Sequence, residues 1–369
     1  MPTQVPLAIL NQKVRDSRFS IVETDELPDW DDYVKNHPRG TIFHTRGIYK
    51  SFLNSPGTKP VVTAALDARG RIIALHFAVF IETFDYLKRW STRAVLFAEP
   101  ICDSNLTGTR ALAKLIQVHN KQASKVSLFT EVRCHHTPGF EQQILLDEGY
   151  VRLDFDNYLQ DLTEDLQVLS KRIKSQARKI KTAHRRGLSI SLENSHDGIR
   201  RAYQVIQASY LRSRIPCLEE EVFHHAFDTL PAGTMQIRVG TYQGQDVTAG
   251  IGLIYGDRYF AWHNGTTRPK GISATASLVW DEIQCAQKLG LKTYDFGGAG
   301  WTGQKYGPRT FKSRFKGHKV NHGRYRCIHS KFRLMVAKNV FEIFRKLRLF
   351  NIEKSTSSVL AQNTAGGQE

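Results

Sequence analysis

The sequence predicts a mixed α/β (α+β) chain in which one domain type occurs twice. Three observations carry this. At 369 residues the chain exceeds one ordinary domain and suits two of about 150–180 residues each. Hydrophobic residues make up 41% and charged residues 24%, the balance of a chain that buries cores. The same run of elements, hairpin then strand then helix then strand, reads in both halves, offset by roughly 165–175 residues.

The elements follow in chain order. VVTAALDARGRIIALHFAVF (61–80) reads as a hairpin, two β-rich apolar runs around the turn Asp67-Ala68-Arg69-Gly70. RAVLFAE (93–99) is a third strand. Thr107 to Ala123 sets Leu112, Leu115, Ile116 and His119 on one helical face, and Lys125 to Glu131 is the strand after it. In the second half MQIRVGTYQGQDVTAGIGLIY (235–255) turns at Gln243-Gly244-Gln245-Asp246, and RYFAWHN (258–264) follows. Ser273 to Leu289 is a helix with Ala276, Val279, Trp280, Ile283 and Ala286 on one face, and Lys292 to Phe296 a strand. These elements divide the chain into an N-terminal segment (1–27), a first domain (28–160), a second (161–330), a C-terminal basic amphipathic helix (331–352) and a disordered tail (353–369).

Between the halves, Leu166 to Arg186 reads as one helix started near Thr163 and stopped by Gly187. Its apolar stripe is Leu166, Leu169, Ile173, Ala177, Ile180 and Ala183. Its other faces carry Lys171, Arg172, Lys174, Arg178, Lys179, Lys181, Arg185 and Arg186 and no acid. Solvated helices usually interleave acids to form i,i+4 pairs, so an unrelieved basic face calls for an anion. The whole chain carries a net charge of +17, a field that attracts nucleic acid, anionic membrane surface or phosphorylated substrates. Much of it lies here and from Lys305 to Arg348, which holds fourteen Lys and Arg against one acid, Glu342. There the terminal helix reads as core-packing, membrane-surface or nucleic-acid-facing.

The five cysteines are dispersed, odd in number and form no C-x-x-C pair, which fits a reducing compartment and no zinc module. Cys134-His135-His136 is the one tempting metal cluster, but neighbours on a strand point to opposite faces, so no metal is expected. The N-terminus lacks a basic start followed by a long apolar core, and no run approaches 18 apolar residues. The expectation is a cytoplasmic protein without a transmembrane segment, with peripheral contact at the inner face of the membrane left open.

Residues 294–312, YDFGGAGWTGQKYGPRTFK, are the candidate chemical centre. A strand ends in Asp295, and Gly297, Gly298, Gly300, Gly303 and Gly307 follow. They read as a loop whose backbone comes close to a ligand, ordered by Trp301, Tyr306 and Phe311. The pattern is neither a P-loop nor a dinucleotide fingerprint. Asp295 is a candidate base or orienter. Trp262 and Asn264 end a strand that lines a cleft. A second turn, Arg268-Pro269-Lys270-Gly271-Ile272-Ser273, precedes a helix whose N-terminus suits phosphate. It is close to the R/Q-x-x-G-x-G/A pattern of GNAT acetyltransferases, with Ser273 as the departure. No G-x-S-x-G elbow and no Ser/His/Asp or Cys/His unit is present.

These features resemble the Fem-type peptidoglycan aminoacyltransferases, the FemAB-like proteins of the GNAT superfamily with a BioF2-like acetyltransferase domain. The resemblance rests on the helix with Trp280, the strand end YDFGG, the Phe311-Lys312 pair and the early aromatic segment TIFHTRGIYKSF (41–52), and spans roughly 28–330. The long helical-hairpin insertion of some members is missing. The resemblance implies tandem GNAT-like domains, each a mixed, mostly antiparallel sheet flanked by helices, with an acceptor in the cleft between them. It implies transfer of an acyl group onto an amine, with Lys312 stabilising the oxyanion and Phe311 walling the site. Tyr210, Arg212 and Arg214 would meet an acceptor phosphate, a task that suits guanidinium. Gly297, Gly298 and Trp301 would line the acceptor site. Arg178, Lys179, Arg268, Gly271 and Ser273 would meet the donor, aminoacyl-tRNA or acyl-CoA, with no bound cofactor. The acceptor would be a cell-envelope precursor or an amino sugar. Two other readings stay open: an acyl-CoA-dependent N-acyltransferase of polysaccharide or natural-product synthesis, and a non-catalytic nucleic-acid-binding protein.

Overall fold

The computed structural model describes residues 15–16, 18–82, 88–213, 215–337 and 339–340. The first half opens with β1 (Arg15–Asp16), β2 (Phe19–Glu23), α1 (Trp30–Asn36) and α2 (Arg46–Leu53). The expected hairpin is β3 (Thr58–Leu66) and β4 (Ile72–Ile81). Asp67 Oδ1 accepts from the backbone N–H groups of Arg69 and Arg71, and Gly70 takes φ +78°, the Asx-type closure that Asp and Gly favour. Then come α3 (Lys88–Ser91), β5 (Arg93–Leu96), β6 (Ile101–Cys102), α4 (Leu106–Val126), β7 (Phe129–Arg133), α5 (Phe140–Asp147), β8 (Val151–Leu153) and β9 (Phe155–Asp161). The strand expected from Lys125 starts later, because α4 continues to Val126, with the Ser127 N–H bonded to Ala123.

The single helix expected over 166–186 is two, α6 (Leu166–Arg172) and α7 (Lys174–Arg185). Ile173 breaks from helical geometry at φ −97°, ψ 30° yet stays buried beside Leu169 and Ile180, so the apolar stripe runs unbroken across the joint. The cap is Asp165, whose side chain accepts from Gln167 N, rather than Thr163. Gly187, at φ +92°, lies just past α7 as expected. β10 (Ser189–Glu193), α8 (His196–Ser213), α9 (Glu220–Thr229), β11 (Met235–Tyr242), β12 (Gln245–Tyr255), β13 (Arg258–Thr266), α10 (Ala274–Lys288), β14 (Thr293–Trp301), α11 (Gly307–Ser313), β15 (His318–Val320) and β16 (Arg324–Ile328) follow. Residues 331–337 turn helical again. Most of the expected terminal helix after that point, and the tail at 353–369, lie outside the described residues.

The repeat is present in the pairing. In one sheet β3–β4–β5 run antiparallel and β5 pairs in parallel with β7 across α4. In the other β11–β12–β13 run antiparallel and β13 pairs in parallel with β14 across α10. The sheets exchange strands. β9, from the first half, pairs with β14. β16, from the end of the second, sits between β7 and β8. One apolar core joins the halves, with Phe43 edge-on to Phe260 at 4.9 Å between ring centres. α8 lies directly on β13: a Cβ at Gly265 would come 2.5 Å from Ile206 Cα, so glycine is required there.

Behind β13 the core holds a polar knot. Arg238, fully buried, donates to Asp281 (2.8 Å) and to Tyr259 Oη (3.3 Å). Glu282, also fully buried, accepts from Tyr294 Oη (2.5 Å). Burial pushes Glu282 up to about 7 despite Tyr294 and Arg238, which favour its charged form. A carboxyl whose folded pKa is raised binds a proton that the unfolded chain has released. Stability should therefore fall between about pH 4.5 and 7 and level off above, a loss on the order of 3 kcal/mol. Glu282→Gln should abolish this slope and melt higher than the parent at pH 8. Equal melting temperatures at pH 8 would refute a raised carboxyl there.

Candidate active site

The segment read as a glycine-rich loop is mostly strand. β14 continues through Gly297, Gly298 and Gly300 to Trp301, with Gly297 at φ +68° and Gly300 at φ +85°. α11 supplies the reason. Its residues Arg309 and Lys312 stand three apart, on one helical face, and both grip β14 carbonyls. Lys312 Nζ donates to the carbonyls of Phe296 (2.5 Å), Gly297 (3.0 Å) and Gly298 (2.8 Å). Arg309 donates to those of Ala299 (3.2 Å) and Trp301 and pairs with buried Asp156 at 3.1 Å. Two cations thus satisfy strand carbonyls where regular pairing with β13 and β9 gives out.

Lys312 is half-buried. Burial lowers its pKa to about 8, and Asp295 works against that shift. Phe311 packs on Phe315 (5.4 Å between ring centres), which packs on Phe296, so the pair expected at the reaction centre does flank β14. Asp295 is 1% exposed. Its Oδ1 accepts from Asn157 Nδ2 and from Gly297 N, both at 2.8 Å. Its Oδ2 lacks a hydrogen bond and lies 3.5 Å from Arg258 Nη1. Oδ1 is thus occupied in fixing the strand end, and the carboxylate favours a charged Lys312.

Next to β14, β13 turns its side chains two ways. Trp262 and His263 face α8 and α9, where both contact the Phe223 ring. Tyr210 Oη lies 3.0 Å from His263 Nδ1. Burial, then Arg133, lowers His263 to about 3, so it is the neutral partner of Tyr210. Asn264 points the other way, toward Glu282. Arg212 donates to the Thr266 carbonyl and ties α8 to the end of β13. Trp301 stands edge-on to Phe155 at 4.9 Å. Arg214 lies outside the described residues.

The basic helix and the turn before α10, separate in sequence, meet in space. Arg178, Lys179, Thr182 and Arg186 of α7 and its C-terminal end, with Gly271, Ile272 and Ser273, line one open groove of about 470 Å³. Arg186 Nη1 donates to the Gly271 carbonyl at 2.9 Å, and Gly271 takes φ +73°. Ser273 is the cap residue of the fifteen-residue α10, so free N–H groups and the positive end of a helix dipole face the same groove as the cations. A second hollow continues along α7, lined by Lys171, Lys174, Arg178, Lys181 and Trp280. Arg268 is exposed at φ +59° and stands outside both linings.

Three residues of the region escaped the sequence reading: Asn157, Arg258 and Arg309. Cys134, His135 and His136 follow β7 rather than lie in it, so strand alternation does not govern them. Glu99, fully buried, accepts from His135 N (2.8 Å) and Arg39 (3.0 Å) and meets His136 Nδ1 (2.9 Å). Burial opposes its ionisation, but His136 and His135 together hold its pKa well below the usual carboxylate range. Among the described residues no group of three or more His, Cys, Asp or Glu is arranged for a metal, and no helix is long and apolar enough to cross a membrane.

Residues 169–313 match the family described as acetyltransferase (GNAT) domain. Solved structures with similar folds include FemX, at 12% identity, covering 83% of this chain and 96% of that one with a TM-score of 0.61. L-PGS from Bacillus licheniformis shares 13% identity over 84% of this chain and 95% of that one, with a TM-score of 0.54. A tandem GNAT protein from the clavulanic acid biosynthesis pathway shares 7% identity over 85% of this chain and 99% of that one, also at 0.54. No curated protein sequence matches. At such identities the structural likeness speaks for the fold, and that fold is the expected pair of GNAT-like domains.

Proposed function

We infer that this chain, an acyltransferase with a GNAT-type domain at residues 169–313, moves an aminoacyl group from aminoacyl-tRNA to an amine of a cell-envelope precursor in the cytoplasm. The observation that carries this reading is Lys312. Its ammonium is fixed at the open end of the β13–β14 pair beside Asp295, on the same domain as a groove lined by Arg178, Lys179 and Arg186. The fold shared with FemX and with L-PGS supports an aminoacyl donor.

The chemistry follows from charge. The acceptor amine attacks the donor's acyl carbon, a C–N bond forms, and the C=O pair moves onto oxygen. The Lys312 ammonium, fixed beforehand, stabilises that oxyanion by letting it replace one of the three carbonyls the ammonium now holds. Collapse expels the ribose oxygen of the tRNA, which leaves with the proton the amine has lost. The donor's phosphates rest against Arg178, Lys179, Arg186 and the α10 N-terminus.

The test offers purified protein labelled aminoacyl-tRNA and labelled acetyl-CoA in parallel, with an amino-sugar or stem-peptide acceptor. Label from the tRNA is expected. In Arg178→Gln/Lys179→Gln the KM for tRNA should rise, and the slope of log affinity against log salt should become shallower by about 1.4, as two single-strand phosphate contacts are lost. A second reading, an acyl-CoA donor, is favoured by the Gly271–Ser273 turn before α10. Label from acetyl-CoA alone would install it in place of the first.

A further inference from the structure

The sequence leaves the helix after β16 open between core packing, a membrane surface and nucleic acid, and its exposed side chains decide among them. Ser330 starts it: the Arg333 N–H bonds Ser330 Oγ (3.2 Å) and the Leu334 N–H bonds the Ser330 carbonyl (3.0 Å). Arg333 Nη2 donates to the Ser124 carbonyl at 2.9 Å, so the helix lies against the C-terminal end of α4. Leu334 and Ala337 are half-buried. Phe332, Met335 and Val340 fall on another side of the helix and are exposed, Phe332 at 65% and Met335 at 55%. A helix that is apolar on two sides is not satisfied by one neighbour, and core packing accounts for one side only.

The outward side is not isolated. Phe332 stands edge-on to Trp90 of α3, 6.2 Å between ring centres, and Trp90 is itself exposed. The His329 N–H bonds the Leu128 carbonyl at 3.0 Å, which draws the end of β16 to the end of α4. Ile328 and Val126 are exposed there as well. Large apolar side chains gathered in this way mark an interaction surface. Their surroundings are cationic. α4 carries Arg110, Lys114, Lys121 and Lys125 and no acid, and residues 324–340 add five bases and no acid. Lys121, Lys125 and Lys331 are exposed. This composition selects the partner. RNA takes cations and aromatic platforms but gains nothing from Val126, Ile328, Met335 and Val340. A second copy would bring the same positive charge to the same patch, and protein interfaces are poor in lysine. The surface of a bilayer takes aromatic and aliphatic side chains at its acyl boundary and Lys and Arg at its phosphates.

We propose that this end of the first domain, formed by Trp90, Val126, Ile328 and the helix from Lys331, is a docking surface for a bilayer rich in anionic phospholipid. Phe332 and Met335 enter the boundary between headgroups and acyl chains, and Lys121, Lys125 and Lys331 meet the lipid phosphates. The proposal needs no part of the acyl-transfer reading, and the two are measured apart.

The test is co-sedimentation of the full chain with vesicles of phosphatidylcholine alone and of phosphatidylcholine and phosphatidylglycerol in equal parts. The chain should bind the mixed vesicles about tenfold more tightly, with affinity falling as salt rises. Phe332→Ser/Met335→Ser should weaken that binding about tenfold at unchanged melting temperature, and Lys121→Gln and Lys125→Gln about fivefold each. Phe332→Trp should keep the affinity of the parent, and its added emission should shift to the blue on mixed vesicles as the indole leaves water. Three results would overturn the proposal. One is equal binding to the two kinds of vesicle. Another is mixed-vesicle binding indifferent to Phe332→Ser/Met335→Ser. The third is a loss in that variant confined to self-association or to a single-stranded RNA oligomer, which would assign the surface to a second copy or to nucleic acid. Failure of transfer from aminoacyl-tRNA would leave the vesicle result standing.

Discussion

Lys312→Met should lower kcat by a factor of 10² to 10³ while the KM of either substrate changes little. That is the scale for removing one fixed electrostatic stabiliser of an oxyanion, and it separates a group acting in the transition state from one that only binds. Loss of fold is not the cause to expect. The variant gives up three hydrogen bonds to the carbonyls of residues 296–298, but it also relieves an enclosed ammonium of its desolvation cost, so the melting temperature at pH 7 should move little. The pH dependence adds a second readout. The amine of Lys312 titrates near 8, below the usual lysine value, so the charged form is complete only under that pH. The parent's kcat should be flat below about 8 and fall tenfold per unit above it. Lys312→Arg keeps its charge throughout and should lose that limb even at reduced rate. The same depression gives a sign for stability. The unfolded chain holds this proton up to the usual lysine value, so the folded state gains as pH rises from about 8 to 10.5. A kcat–pH curve shared by parent and Lys312→Arg would remove Lys312 from the reaction.

Tyr325→Ala should destabilise the first sheet by about 3–5 kcal/mol, the cost of emptying a large buried aromatic site. Tyr325 is 1% exposed and packs with Leu112, Ile116 and Val132, although it stands near the other end of the chain from them. Native-state hydrogen exchange should quicken across β3, β4, β5 and β7, with a lowered denaturant midpoint. Faster exchange confined to residues 324–328 would show that β16 is an accessory edge rather than part of that core.

How much of this the sequence discloses depends on how local the cause is. Both hairpins are legible because alternating apolar residues and turn chemistry at Asp67–Gly70 and Gln243–Gly244 act over a few positions. The helices α4 and α10 are legible for the same reason. The break at Ile173 is not, because no glycine or proline marks it and the apolar stripe continues through the joint. The course of β14 beyond Asp295 is hidden too. Glycines there signal a loop, while the cations that straighten it come from α11. The candidate site divides in the same way. Lys312 and the turn at Gly271 can be singled out from the sequence because each is contiguous with its motif. The meeting of that turn with α7 needed the packing of α7 on α10. The partners of Glu131 on β16, Arg324 and Arg326, were out of reach, because they join its face only after β16 has entered the first sheet.

That late entry of β16 also orders events in time. A chain made from its N-terminus exposes β7 when β16 is still unsynthesised, so the first sheet leaves the ribosome with an open edge where β16 belongs. β9 likewise waits for β14. Neither half can close until almost the whole chain has been made, and an N-terminal fragment ending before Arg324 would expose a strand edge prone to pairing with other chains. Once such a unit is duplicated, the copies do not easily separate again, since each is stitched with thread from the other.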